Sequence, residues 1–308
     1  MNRFKKIPVV LDAEDEDHPA LAGSVSRFLI LFSFLAVFSS FAPAEQKDGY
    51  TKLEKSLCGL KEPFIFWLWS SLAGSPNADR LAGLNNVEDI SFETKDNRIL
   101  RGYRLKATGG EGQEVPSKGY LLVLQGNAIL ADQIINDFTH FSSAGFDIYI
   151  YDFRGYGRSE GKRRLKAIVS DYAEIIAALN SANYDKRFVY AMSFGGIAFL
   201  DGFELHGKLD RIVVDSTPSH LSDYGCPPEY DPVYHLPEDC SQFLFIVGQN
   251  DRVVPPSMSQ RLVETAQQRS ATILRDEEFG HPFMDYNWSV HRRRMKVIEK
   301  YLLYNENP

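Results

Sequence analysis

The chain has 308 residues, of which 44% are hydrophobic and 24% are charged, and this balance excludes a disordered protein. The net charge of -7 argues against a nucleic-acid partner, because phosphate binding depends on clustered Lys and Arg. Two basic clusters, residues 162–166 and 292–296, lie beside or within predicted helices, where a solvated face is the simpler interpretation. Since α/β folds often place about 250 residues on one core, we start from one large domain.

Residues 28–41 carry no charge and are followed by Ala42, Pro43 and Ala44. This run is shorter than the about 20 residues of a spanning helix but suits a secretory signal with an A-x-A cleavage pattern. The acidic residues that precede it are untypical of a signal, so a membrane anchor and a buried core helix stay open as alternatives. We predict that residues 1–44 are a leader and that the protein is exported or membrane-anchored on the extracytoplasmic side; a cytoplasmic location is the alternative.

Residues 45–87 combine short helical patterns with an aromatic run at 64–69, which we interpret as packing against the fold, with a membrane surface as the alternative. Cys226 and Cys240 flank a Pro-rich stretch that a disulfide would close, leaving Cys58 unpaired. Three free thiols are an equal alternative, because spacing cannot establish bridge geometry. No CxxC pair or HExxH motif occurs, so we predict neither a metal site nor a cofactor.

From residue 88 onwards, short apolar segments alternate with longer helical patterns, which predicts an α/β domain with a mostly parallel sheet and helices on both faces. The first two strands suggest an antiparallel hairpin. The insertion at residues 216–239 is a candidate lid. The predicted strands are 89–94, 100–106, 120–124, 147–151, 188–191, 211–214, 243–247 and 272–274. The predicted helices are 131–143, 165–182, 194–205, 257–268 and 283–304.

Ser193 lies between a predicted strand and an apolar helix, the context of a nucleophile elbow. Small residues are needed around this serine because the turn is tight, and Gly195 and Gly196 meet that need. Ala191 departs from the usual G-x-S-x-G by one methyl group. Ser193 is therefore the candidate nucleophile.

A serine hydroxyl needs an imidazole to accept its proton and a carboxylate to orient that imidazole. Asp251 follows the predicted strand 243–247, and His281 follows the predicted strand 272–274 in the loop before the last helix. Both are therefore expected at the carboxyl edge of the sheet, in the order serine, acid, histidine.

The chain resembles the α/β-hydrolase superfamily over about residues 88–305. The resemblance rests on LQGNA at 124–128, YDFRGYGRSEG at 151–161, AMSFGG at 191–196, and the pair GQNDRVVP and GHPF. It implies an eight-stranded sheet with Ser193, Asp251 and His281 converging above its carboxyl edge. It also implies an oxyanion hole made by the backbone amides of Phe194 and Asn127, with Ala128 as the neighbouring choice. Many relatives have His-Gly where this chain has Gln-Gly at 125–126.

Other interpretations of these segments are weaker. The glycines at 155–161 fit neither the G-x-G-x-x-G dinucleotide loop nor the phosphate-binding P-loop. Asp215, at the end of a predicted strand, is an alternative catalytic acid. His140, His220 and His235 are interpreted as packed or surface residues.

The sequence thus predicts a serine hydrolase that cleaves an ester, thioester or amide of a small or lipidic acyl substrate through an acyl-enzyme. Membrane association through the N-terminus is a further expectation, and oligomeric state is not indicated. The alternative is a non-catalytic hydrolase fold used for binding or scaffolding, since a fold does not fix a function.

Overall fold

A computed structural model describes residues 51–110, 112–304 and 306–307. Its centre is a sheet of eight strands in the order β1-β2-β4-β3-β5-β6-β7-β8. The strands are β1 Val87–Glu93, β2 Ile99–Leu105, β3 Gly119–Leu124, β4 Phe146–Tyr151, β5 Lys186–Met192, β6 Arg211–Asp215, β7 Phe243–Gly248 and β8 Thr272–Asp276. The predicted leader, residues 1–44, lies outside the described residues. Within them, no helix is both long and apolar enough to cross a membrane.

The sheet is mostly parallel. β1 pairs antiparallel with β2, and β2 pairs antiparallel with β4, while every pairing from β4 through β3 to β8 is parallel. The predicted fold class and the entry hairpin are therefore confirmed. Because the last four strands are parallel neighbours, the loops that follow them meet at one edge of the sheet.

The helices are α1 Lys61–Leu72, α2 Ala131–Ile134, α3 Thr139–Ser143, α4 Leu165–Ser181, α5 Phe194–Asp201, α6 Pro256–Gln268 and α7 Trp288–Glu299. The helix predicted at 131–143 is broken by a 3₁₀ turn, Ile135–Phe138. The helix predicted from 283 begins only at Trp288, because the Asn287 side chain accepts a hydrogen bond from the Val290 amide and caps it. It continues as one π turn, Lys300–Tyr304.

Two apolar clusters cover the two faces of the sheet. Along β3, Leu122 and Leu124 belong to one cluster, and the alternating Leu121 and Val123 belong to the other. The first cluster takes side chains from α4, α5 and α6, and the second from α2, α3 and α7. Burial on both faces explains why the central strands are continuous apolar runs in the sequence.

The segment before β1 is attached to this core by buried polar contacts. Glu54 pairs with Arg98 at 3.1 Å, and Glu62 accepts a hydrogen bond from the Leu165 amide at the start of α4. A disulfide joins Cys58 to Cys226, with their Cα atoms 4.1 Å apart. Cys240 is a buried free thiol. Both interpretations of the cysteines from sequence are therefore wrong, since residues distant in sequence are brought together by α1 packing beside the insertion.

The insertion at residues 216–239 forms short 3₁₀ turns, namely Ser222–Tyr224, Pro228–Tyr230 and Pro232–His235. Asp231 is buried and accepts hydrogen bonds from the amides of Leu221 and Ser222. Ser219 ties the insertion to α6, because its hydroxyl accepts a hydrogen bond from the Leu262 amide at 2.9 Å. The insertion is thus packed onto the core, and its role as a lid stays a prediction.

The last residue of α5, Asp201, is a buried carboxyl group. Its side chain is 1% exposed, and His235 Nε2 lies 4.0 Å from one oxygen. Within the described ranges, neither oxygen of Asp201 has a hydrogen-bond partner. Burial, and to a smaller extent the charge of Asp231, raises the pKa of Asp201 to about 9.

We expect an Asp201→Asn variant to gain stability over the wild type as pH rises. The unfolded chain ionises Asp201 near pH 4, whereas the folded chain keeps its proton up to about pH 9. Retention of this proton in the folded state therefore stabilises the wild type fully below about pH 4, and this stabilisation is lost as pH rises through about 9. The difference in unfolding free energy between variant and wild type should grow by about 1 kcal/mol per pH unit in that window.

Urea denaturation of both proteins near pH 6 and pH 8 measures this difference. All other titrating groups are shared, so they cancel in the comparison. A difference that does not change with pH would contradict an abnormal pKa at Asp201.

Candidate active site

Ser193 lies in a sharp turn between β5 and α5. Its backbone has φ 51° and ψ -119°, a conformation that costs energy in any residue other than glycine and is found at nucleophile elbows. Its amide donates to the Asp215 carbonyl at 2.8 Å, which holds the turn against the end of β6. Within the described part of the chain its hydroxyl makes no hydrogen bond, so this group is available to a base or a substrate.

The two glycines after the serine are required by close packing. A methyl group at Gly195 would overlap the Leu124 and Gln125 carbonyls at the end of β3. One at Gly196 would overlap the Thr217 side chain. The motif requires small residues here because both glycines pack directly against the ends of neighbouring strands.

Asp251 and His281 form a buried hydrogen-bonded pair at the same edge. Asp251 Oδ2 lies 2.8 Å from His281 Nδ1. The other oxygen, Oδ1, accepts from the amides of Val253 and Val254 at 2.8 and 2.9 Å. The Asn250 amide donates to the Phe279 carbonyl at 3.0 Å, which holds the two loops together. Accepting at Oδ2 selects the imidazole tautomer with its proton on Nδ1 and a free lone pair on Nε2.

The surroundings of Asp251 keep it ionised. Burial by itself raises the pKa, but the hydrogen bond and charge of His281 and the two valine amides outweigh burial and hold the pKa below the ordinary aspartate value. Asp251 therefore stays a carboxylate at neutral pH and can stabilise a positive imidazole.

The loop after β3 approaches Ser193 from the other side. A Cβ placed on Gly126 would lie 3.6 Å from Ser193 Cβ. Tyr156 donates from its hydroxyl to Asn127 Oδ1, and Ala128 has φ 69°, so the loop turns away directly after Asn127. Phe194 is the first residue of α5, so its amide has no acceptor inside the helix. In the described ranges the Asn127 amide makes no hydrogen bond either, which leaves both donors open beside the serine.

Gln125 directly follows the last residue of β3. Its side chain is buried and donates to the Tyr151 carbonyl at 2.8 Å. It therefore joins the end of β3 to the end of β4.

The loop that carries His281 is held by two residues, Arg294 and Asp285, which the sequence analysis did not identify. Arg294 of α7 is fully buried and donates to the Gly280 carbonyl at 2.6 Å and to Asp285 at 2.9 Å. Asp285 in turn accepts from the Gly280 amide at 2.8 Å. The peptide groups directly before His281 are thus held on both sides. The interpretation of the 292–296 cluster as a solvated face is wrong for Arg294, whose spacing from Val290 and Ile298 places it on the inward face of the helix.

Asp215, the alternative acid, is committed to Arg294. Its two oxygens accept from Arg294 Nη1 at 2.8 and 2.9 Å, and Tyr190 and Ser216 also donate to it. Burial by itself lowers the pKa of the Arg294 guanidinium, but the nearby Asp215 and Asp285 carboxylates raise this pKa above its ordinary value. Arg294 therefore remains a cation. Asp215 therefore supports the His281 loop through Arg294, and the acid bonded to the imidazole is Asp251.

The three histidines interpreted above as packed or surface residues lie outside this site. His140 is exposed on α3, and His220 and His235 lie half-buried in the insertion. Among the described residues, no group of three or more His, Cys, Asp or Glu side chains is arranged to hold a metal ion.

Comparison with known proteins supports the same fold. A family model described as "Serine aminopeptidase, S33" matches residues 116–226, which include Ser193 and the loop after β3. The uncharacterized protein YfhR of Escherichia coli is 23% identical over 230 residues, which cover 68% of this chain and 79% of that protein. An esterase from Pyrococcus furiosus superposes with a TM-score of 0.57 at 16% identity and covers 74% of this chain and 95% of its own.

This chain has the α/β-hydrolase fold. A puromycin-hydrolyzing peptidase from Mycobacterium tuberculosis has the same fold, with a TM-score of 0.52 at 17% identity over 74% of this chain and 41% of its own. At such identities the structural likeness establishes the α/β-hydrolase fold alone. The roles of Ser193, Asp251 and His281 in this chain therefore have to be argued from their own geometry.

Proposed function

We propose that this protein is a serine hydrolase that cleaves an ester, thioester or amide through an acyl-enzyme. The observation that carries the proposal is the buried Asp251–His281 pair at the sheet edge where Ser193 sits in a strained turn with a free hydroxyl. The family model described as a serine aminopeptidase, and structural neighbours named as an esterase and a peptidase, support a hydrolase in general terms.

The first step is attack on the substrate carbonyl. Ser193 Oγ forms the bond to carbon while its proton passes to His281 Nε2. Asp251 accepts the Nδ1 proton throughout and stabilises the imidazolium. The negative charge that develops on the carbonyl oxygen is met by the amides of Phe194 and Asn127.

The second step releases the leaving group and then the acid. His281 gives its proton to the leaving alcohol, thiol or amine, which leaves an ester on Ser193. A water molecule, deprotonated by the same imidazole, attacks this ester, and Ser193 recovers its proton. The site needs no metal or cofactor for these steps.

We infer a small or lipidic acyl substrate. The buried ring of Phe66 packs on Phe194 with 5.1 Å between centroids, and the Phe153 ring lies 5.4 Å from the Phe194 ring. The residue that follows the nucleophile is thus surrounded by aromatic groups, which favours apolar acyl chains over charged ones.

The location of the protein is also a proposal. The Cys58–Cys226 disulfide supports an oxidising, extracytoplasmic compartment for residues 51–308, because such bonds are rare in reducing cytosol. Detection of a reporter fused after residue 308 on the outer side of the membrane would agree with this location, and detection in the cytosol would contradict it.

The proposed activity is tested with a panel of chromogenic esters, thioesters and aminoacyl amides, using the purified full chain. We expect turnover of at least one class by the wild type and a loss of about 10⁴-fold or more in kcat for Ser193→Ala. Ser216→Ala is the matched control, because Ser216 also has φ 51° and follows the neighbouring strand, yet its hydroxyl donates to Asp215. Equal losses in the two variants would contradict a nucleophilic role for Ser193.

A further inference from the structure

Helix α1 exposes its apolar face. Leu60, the N-cap residue directly before α1, is 93% exposed, Phe64 is 61% exposed and Trp67 is 52% exposed. These residues are spaced by four and three positions, so they lie along one side of the helix. The rings of Phe64 and Trp67 are in contact, with 6.0 Å between centroids. We call these three residues the α1 stripe.

The opposite side of α1 holds this orientation in place. Phe66 is buried against Phe194, and the Glu62 carboxylate is also buried. One Glu62 oxygen accepts from the amides of Leu57 and Cys58 at 2.6 and 3.0 Å, and the other accepts from the Leu165 amide. The helix therefore buries a charged residue and exposes large apolar ones, which is the reverse of the usual pattern for a surface helix.

Charge is distributed unevenly around the stripe. Lys52, Lys55 and Lys61 are exposed, whereas the two carboxylates between residues 51 and 73, Glu54 and Glu62, are buried. This segment thus presents positive charge at the surface of a chain whose net charge is -7. A surface of this kind suits an anionic phospholipid bilayer, because the lysines attract the headgroups while Trp, Phe and Leu side chains enter the boundary between headgroups and acyl chains.

The position in the chain agrees with such a partner. The uncharged run at residues 28–41 precedes the stripe by fewer than 20 residues, so two apolar segments can reach the same bilayer. We propose that the α1 stripe inserts into the surface of an anionic phospholipid bilayer and holds residues 51–308 against it. This inference is independent of hydrolase activity.

The test places a single fluorophore in the stripe. Trp69→Phe with Trp288→Phe leaves Trp67, and the matched control, Trp67→Phe with Trp69→Phe, leaves Trp288, which is 60% exposed on α7. Both full-length proteins are mixed with equimolar phosphatidylcholine and phosphatidylglycerol vesicles containing lipids brominated at several acyl depths. We expect the Trp67 emission to fall about twofold with shallow bromines and the Trp288 emission to stay unchanged.

A second variant tests the apolar contacts themselves. Leu60→Ser with Phe64→Ser changes only exposed positions, so the fold should be retained. We expect the partitioning of this variant onto vesicles to weaken by about tenfold or more in a flotation assay. The control variant, Leu205→Ser with Tyr304→Ser, also changes two exposed residues and is expected to bind the vesicles as the wild type does.

Three results would overturn the proposal. Flotation with unquenched Trp67 would mean that residues 28–41 bind the bilayer without the stripe. Unquenched Trp67 with concentration-dependent self-association would mean that a second copy covers the stripe. Absence of wild-type binding to the vesicles would remove the lipid partner.

Discussion

Replacing Asp251 with asparagine is expected to lower kcat by about 10⁴-fold, which corresponds to about 5 kcal/mol of transition-state stabilisation. The reason is local. The amides of Val253 and Val254 require an acceptor at Oδ1, so the new amide oxygen stays there and the NH₂ group faces His281 Nδ1. The imidazole must then carry its proton on Nε2 and cannot accept one from Ser193.

Asp239→Asn is the matched control for this change. Asp239 also lies in a loop and accepts a backbone hydrogen bond, from Ser241 at 2.9 Å, but it is exposed. Steady-state hydrolysis, or the rate of covalent labelling of the serine, measures the effect. Activity within about tenfold of the wild type in Asp251→Asn would contradict the proposed role of Asp251.

Removal of the Cys58–Cys226 disulfide is expected to lower the free energy of unfolding by about 2–4 kcal/mol. The bridge joins residues 168 positions apart, so it excludes many extended conformations of the unfolded chain. It also holds the start of α1 beside the insertion. Guanidinium denaturation of the Cys58→Ser, Cys226→Ser variant against the oxidised wild type measures the loss.

Reduction of the wild type should reproduce the result of the double variant. Cys240→Ser is the control, since this thiol is free and buried and closes no loop. Equal stability of the oxidised protein, the reduced protein and the double variant would show that the bridge does not stabilise this fold.

The sheet could be predicted because its strands are buried on both faces. Segments such as LLVL in β3 and FLFIV in β7 are too short and too apolar for helices, and their alternation with amphipathic segments indicates parallel order. The ends of helices were less predictable. Asn287 starts α7 because it caps the Val290 amide, and a cap inside a long polar stretch has no periodic signal.

The site was predictable only in part, because sequence order shows which strand end carries a residue but does not show its partners. The contact of Asp251 with His281 follows from two adjacent parallel strands, while their catalytic roles stay predictions. Arg294 was missed because a cluster of charges looks solvated until the apolar residues four positions away are considered. Cys58 was left unpaired because the packing of α1 beside the insertion has no local signature.

The most direct test of the account is covalent labelling of the full chain by a fluorophosphonate, followed by intact mass and peptide mapping. We predict one adduct per chain on Ser193, none in Ser193→Ala, a strongly slowed reaction in His281→Ala, and unchanged labelling in Ser216→Ala. A folded wild type that remains unlabelled, or one labelled at another residue, would contradict an activated serine at the end of β5.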